Sequence, residues 1–170
     1  MKILFIQTGG TIDKEYEERA GVYNFRICEP AVKRILDRCR VNFEFEIESL
    51  LKKDSQDITN EERRKIFEVC SNTNYNKIII THRTDTMIKT AEILSKIKNK
   101  IIILTGASQP EKFRDSDAAF NVGTAVGAIN LAKEGIYIAM NGRIYHWDEC
   151  EKDKETGRFF VKEDGTHSKE

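Results

Sequence analysis

No apolar stretch in this 170-residue chain reaches the ~18–20 positions needed to cross a membrane. Met1-Lys2 runs directly into four apolar residues, too short a block for a signal-peptide core. Net charge is missing as well: basic and acidic residues number 28 each, so no general basic field exists for nucleic acid. None of the four cysteines (Cys28, Cys39, Cys70 and Cys150) pairs in a C-x-x-C, which gives no zinc or redox motif. They read as reduced thiols of a cytoplasmic protein. The three histidines, His82, His146 and His167, are far apart, so a metal cage is not expected and a serine or cysteine triad lacks its obvious partner. The phosphate loop G-x-x-x-x-G-K-[ST], the dinucleotide fingerprint G-x-G-x-x-G and the hydrolase elbow G-x-S-x-G are all absent. No cofactor is implied.

What is present is an alternation. Ile3-Leu4-Phe5-Ile6 is a short apolar run closed by Thr8-Gly9-Gly10-Thr11-Ile12, the pattern of a buried strand entering a tight loop. Residues 13 to 26 are polar without a period and read as a mobile loop. Pro30 suits the first position of a helix running to about Arg40. Phe43 to Glu48 alternates with period two, as a half-buried strand does. Thr59-Asn60-Glu61-Glu62 is a capping box opening a helix to about Cys70.

Lys77 to Thr81, Ile101 to Leu104 and Ile136 to Met140 are continuous apolar strands. Helices are expected between them, from about Thr86 to Ile97 and from Asp117 to about Lys133, with a short extra strand at Arg143 to Trp147. Such alternation predicts an α/β fold: a three-layer sandwich with a mainly parallel, flavodoxin- or Rossmann-like sheet. The charged tail beyond Cys150 reads as irregular, and Trp147 and Cys150 as structural.

In a parallel sheet the loops after the strands share one edge. Here they are Thr8-Gly9-Gly10-Thr11, Asp54-Ser55-Gln56-Asp57, His82-Arg83-Thr84-Asp85-Thr86 and Thr105-Gly106-Ala107. Singly, each has a plain reading: Thr59 and Thr86 as caps, Asp57 as a turn residue, His82 as a hydrogen-bonding residue, the glycine pair as a turn. Together they point to a site, and with no histidine partner what remains is a threonine nucleophile with another activator.

Thr8-Gly9-Gly10-Thr11-Ile12, Thr81-His82-Arg83-Thr84-Asp85-Thr86-Met87 and Leu104-Thr105-Gly106-Ala107 resemble signature blocks of the bacterial-type L-asparaginase/glutaminase family. Ser116-Asp117 with Phe120-Asn121, and Met140-Asn141-Gly142, resemble further blocks in the same order. The resemblance implies an amidohydrolase that converts L-asparagine, and as a second substrate L-glutamine, through a threonine acyl-enzyme. Thr11 is then the nucleophile, Tyr23 rather than Tyr16 its contact, and Thr84, Asp85 and Lys152 the second catalytic group. Asp85 would also bind the substrate ammonium and Ser55 its carboxylate, with Gly10, Gln56, Thr84 and Ala107 lining the pocket.

The resemblance covers 1–152, leaving 153–170 as a charged tail with no second domain expected. A homo-oligomer is expected to close the site edge. Arg83 stands where the family has glycine, and would either face the pocket or pair with a carboxylate. The competing reading is a weakly or non-catalytic domain that binds a small amino acid or acidic ligand.

Overall fold

The computed structural model describes residues 1–19, 22–53 and 58–162, with residues 16–19 and 22–24 described by backbone alone. A six-stranded sheet carries the fold, in the order β4 (Glu44–Lys53), β1 (Lys2–Gly9), β5 (Lys77–Thr81), β6 (Ile101–Thr105), β7 (Gly135–Met140), β8 (Arg143–His146). The first five strands are parallel and β8 is antiparallel to β7. Because side chains alternate across a strand, the apolar runs sort themselves onto two faces.

Leu4, Ile6, Ile78, Ile80, Ile102 and Leu104 pack with Ile66 and Cys70 of α2 (Asn60–Asn72) and Met87, Ala91 and Leu94 of α3 (Met87–Leu94). Ile3, Phe5, Ile79 and Ile103 pack on the other face against Val32 and Ile35 of α1 (Ala31–Cys39) and Val122, Ala125 and Ile129 of α4 (Ala118–Leu131). Each fully buried isoleucine contributes ~1.5–3 kcal/mol. This is the expected three-layer α/β sandwich with a mainly parallel sheet.

Three stretches depart from the sequence reading. In the stretch read as a loop, β2 (Lys14–Arg19) and β3 (Val22–Ile27) pair as antiparallel strands. A two-stranded ribbon is held by its own backbone pairing, so Lys-Glu-Tyr-Glu-Glu-Arg needs no apolar face and shows no period. The tail read as irregular contains β9 (Cys150–Lys152) paired antiparallel with β10 (Phe159–Val161). Phe159 is buried there and its carbonyl accepts from the Tyr145 hydroxyl at 2.7 Å, an anchor hidden inside a charged segment. Pro30 sits one residue ahead of α1, at its N-cap. Proline has no side-chain acceptor to offer there, and Asp13 fills the role: its Oδ1 accepts from the Ala31 amide at 2.8 Å.

Candidate active site

The glycine pair fixes the site's geometry. Gly9 and Gly10 have φ of 98° and 94°, in the region that favours glycine. A Cβ on Gly9 would lie 2.1 Å from the Lys53 carbonyl oxygen, and one on Gly10 would lie 2.6 Å from the Arg83 amide nitrogen. The loop after β1 is therefore pressed against β4 on one side and against the loop after β5 on the other. Thr11 follows as the first residue of a single 3₁₀ turn, Thr11–Asp13, and is half-buried. Ile12 is fully buried and its carbonyl accepts from the Glu111 amide at 3.1 Å. The turn is thus held on both sides while the Thr11 side chain stands between the anchors.

Not every hydroxyl at this edge is available for chemistry. Thr8 Oγ1 donates to the Thr81 carbonyl at 2.8 Å, and Thr105 Oγ1 to the Ala139 carbonyl at 2.9 Å. Both stitch neighbouring strands together. Thr59 caps α2 as the sequence predicts, with the reciprocal Glu62 contact in place. Thr86 occupies the N-cap position of α3. His82 is fully buried: Nδ1 meets the Arg83 carbonyl at 2.7 Å and Nε2 meets Thr90 Oγ1 at 2.9 Å. Burial pushes its pKa down to about 4, so the ring is neutral and structural.

The second group assembles across 68 residues of chain. Lys152 Nζ donates to Thr84 Oγ1 at 2.8 Å and to Asp85 Oδ1 at 2.5 Å. Strand β9 delivers the lysine to this point. The Lys152 bond, reinforced by Arg83, holds the Asp85 carboxyl below the usual carboxylate range. Arg83 does not stand apart from this group: its Nε donates to Asp85 Oδ2 at 2.8 Å. Asp85 therefore carries a different cation on each oxygen. Burial pushes the thiols of Cys70 and Cys150 up to about 12, which leaves them protonated and poor nucleophiles.

Of the remaining expected residues, Ala107 has its side chain in the core beside Ile12 and Ile103, so only its main chain can meet a ligand. The Gly10 amide is already donated to the Lys53 carbonyl at 3.0 Å. Tyr23 lies on β3 in register with Glu18, with its side chain outside the described set. Ser55 and Gln56 fall outside the described residues.

Two supports brace this edge, one marked in the sequence and one not. Asp117 accepts from the amides of Ser108 at 2.9 Å and Gln109 at 3.1 Å, and from Asn121 Nδ2 at 2.9 Å. Asn121 also donates to the Gly106 carbonyl at 3.0 Å and accepts from the Asn141 amide at 3.1 Å. Both residues belong to the family block Ser116-Asp117 with Phe120-Asn121, and their i, i+4 spacing puts them on one face of the helix start. The second support is Glu111, almost fully buried, which pairs with Arg34 at 2.7 Å and Arg38 at 2.5 Å. Nothing in its neighbourhood in sequence marks it.

The sheet edge thus brings a threonine turn after β1 next to the loop after β5, whose Thr84 and Asp85 are joined to Lys152. The family model described as asparaginase, N-terminal, matches residues 2–162, and the chain belongs to that family. It is 34% identical over 154 residues to the L-asparaginase of Thermococcus kodakarensis, covering 85% of this chain and 45% of that protein. It is 44% identical over 69 residues to a subunit of the glutamyl-tRNA(Gln) amidotransferase of Methanococcus vannielii, covering 39% of this chain and 16% of that one. Its fold superposes on the thermostable L-asparaginase from Thermococcus kodakarensis with a TM-score of 0.80 at 27% identity, over 95% of this chain and 51% of the other. The chain spans about half the length of the L-asparaginase it matches. Among the described residues no helix is long and apolar enough to cross a membrane.

Proposed function

We propose that this chain is an amidohydrolase that converts L-asparagine to L-aspartate and ammonia through a Thr11 acyl-enzyme. The observation that carries the reading is the Thr84–Lys152–Asp85 cluster, brought together from β9 and the loop after β5 beside the Thr11 turn. Thr11 Oγ attacks the side-chain amide carbon, its proton passes to the amide nitrogen, and the C–N bond breaks to release ammonia. Water then adds to the Thr11 ester, the ester C–O bond breaks, and the acid and the threonine hydroxyl are regenerated. Thr84, whose Oγ1 accepts from Lys152, can relay that proton, taking it up from Thr11 as it gives its own hydroxyl proton to the leaving nitrogen. Asp85 holds Lys152 in place throughout. Tyr23, and Ser55 with Gln56, fill the remaining roles in this reading, as contact to the nucleophile and as substrate-binding residues.

The reading includes a cytoplasmic homo-oligomer. Phe120 and Leu131, 64% and 90% exposed on α4, support association of copies. Ammonia release across L-asparagine, L-glutamine and D-asparagine tests the chemistry, with L-asparagine expected to be turned over. Silence on every amide defeats it. Light scattering at micromolar concentration tests the assembly, where a fully active monomer is the contrary result.

A further inference from the structure

Among the described residues Asp85 is the carboxylate of the cluster with Thr84 and Lys152, and both of its oxygens are engaged by cations. Lys152 Nζ is 2.5 Å from Oδ1 and Arg83 Nε is 2.8 Å from Oδ2. A third cation approaching Asp85 would sit beside an ammonium and a guanidinium, and like charges at that range repel. The surroundings reinforce the sign. On the Lys152 side of Asp85, away from Arg83, a cleft of about 610 Å³ is lined by Lys89, Lys152, Lys154 and Lys162 against Asp85 and Glu151. Arg83 itself is held in place: the Gly10 backbone packs on its main chain, and its side chain is only 23% exposed. The guanidinium is thus part of the built site rather than a trailing surface group.

We propose that Arg83 is a specificity-determining residue that turns this site towards amides bearing a carboxylate and no free α-ammonium, of which succinamate is the counterpart of L-asparagine. The inference rests on the Thr11 reading for its chemistry. It does not rest on it for its recognition, which follows from the charge balance around Asp85. An amide of this class presents only negative charge to a positive surround and leaves the Arg83–Asp85–Lys152 chain intact. L-Asparagine must either insert its ammonium between the two cations or displace Arg83. Glycine at this position would remove the competitor and free Asp85 Oδ2.

Calorimetric titration of the intact chain with succinate and with L-aspartate reads recognition directly, because these products differ only in the ammonium group. Succinate should bind the wild type about tenfold more tightly than L-aspartate, and Arg83→Gly should reverse the order. Arg83→Gln, which keeps the length and removes the charge, should move the ratio the same way and serves if the glycine variant unfolds. Wild type binding L-aspartate as tightly as succinate, or a ratio unchanged in either folded variant, overturns the proposal.

Ammonia release from succinamate and L-asparagine, with Thr11→Val as control, separates the two readings. Succinate preference without ammonia from any amide defeats the amidohydrolase and leaves the recognition standing. Faster release from L-asparagine than from succinamate in wild type defeats the recognition and leaves the nucleophile standing.

Discussion

Lys152 Nζ donates to Thr84 Oγ1 at 2.8 Å, joining a residue of β9 to the loop after β5. In the proposed mechanism the bond gives each side chain one role: the lysine supplies positive charge, and the threonine relays the Thr11 proton to the leaving nitrogen. Removing either end breaks the relay without touching Thr11. Lys152→Met and Thr84→Val are each expected to lower kcat about 10²–10⁴-fold, with a smaller effect on KM. Steady-state ammonia release measures both. Full turnover in either variant removes the cluster from the mechanism.

Thr11→Val replaces the attacking oxygen by a methyl group at nearly constant volume. Thr11 is only half-buried, and its neighbours Gly10 and Ile12 make the contacts that fix the turn. The fold should therefore survive, with a melting temperature within a few degrees of wild type, while turnover falls on the order of 10⁴-fold or more. The informative control is mass spectrometry of wild type mixed briefly with substrate, where an acyl adduct should map to Thr11. An adduct elsewhere, or undiminished turnover in the variant, excludes this nucleophile.

The fold was readable from the sequence where periodicity is set by a two-sided core. Ile78, Ile79 and Ile80 are apolar in succession because their strand is covered on both faces, and a run this short and this β-branched fits a buried strand better than a helix. The site was readable where a loop follows such a strand: Thr11, Thr84 and Asp85 all lie just past one. Lys152 was harder, since a lysine among Glu151, Asp153 and Lys154 looks solvated until β9 and β10 are seen to pair. The pairing of β2 with β3 was not readable, because it requires no apolar pattern. Asp13 was not readable either: its burial depends on α1 arriving from elsewhere in the chain, and no local pattern reports that.

Asn121 offers a test of how far the loop after β6 depends on one side chain. It is fully buried, donates to the Gly106 carbonyl and Asp117, and accepts from the Asn141 amide. Asn121→Leu keeps the approximate volume and strands the buried Gly106 carbonyl and the partly buried Asn141 amide. The expected loss is about 2–4 kcal/mol in urea unfolding at unchanged slope. Activity should fall too, since Gly106 lies against the His82 carbonyl that backs Arg83 and Thr84. A variant as stable as wild type would show that water replaces the amide at little cost.

Asp13 carries the pH dependence. Its carboxyl is fully buried, with Oδ1 capping α1 through the Ala31 amide, and burial pushes its pKa from 3.8 up to about 7. The Ala31 amide opposes this rise most, followed by a hydrogen bond from Gln7 of β1 and the positive charges of Arg34 of α1 and Lys52 of β4. Since the folded state holds the proton more tightly than the unfolded chain, the stability it confers is complete below pH ~4 and is lost as pH rises towards 7. Between pH 5 and 8 the loss amounts to about 2–3 kcal/mol, at ~1.36 kcal/mol per unit. His82 acts with the opposite sign: held neutral with a pKa of about 4, it stabilises above pH ~6.5 and loses that contribution on acidification. A raw wild-type profile therefore mixes the two, and the difference from Asp13→Asn isolates the first. Asparagine can still cap Ala31 through its carbonyl oxygen, and whatever its amide costs is independent of pH. The stability of wild type relative to Asp13→Asn should fall from pH 5 to about 7 and level off above it, read from urea midpoints at constant slope. A difference that stays flat across this range would mean that the buried carboxyl keeps an ordinary pKa.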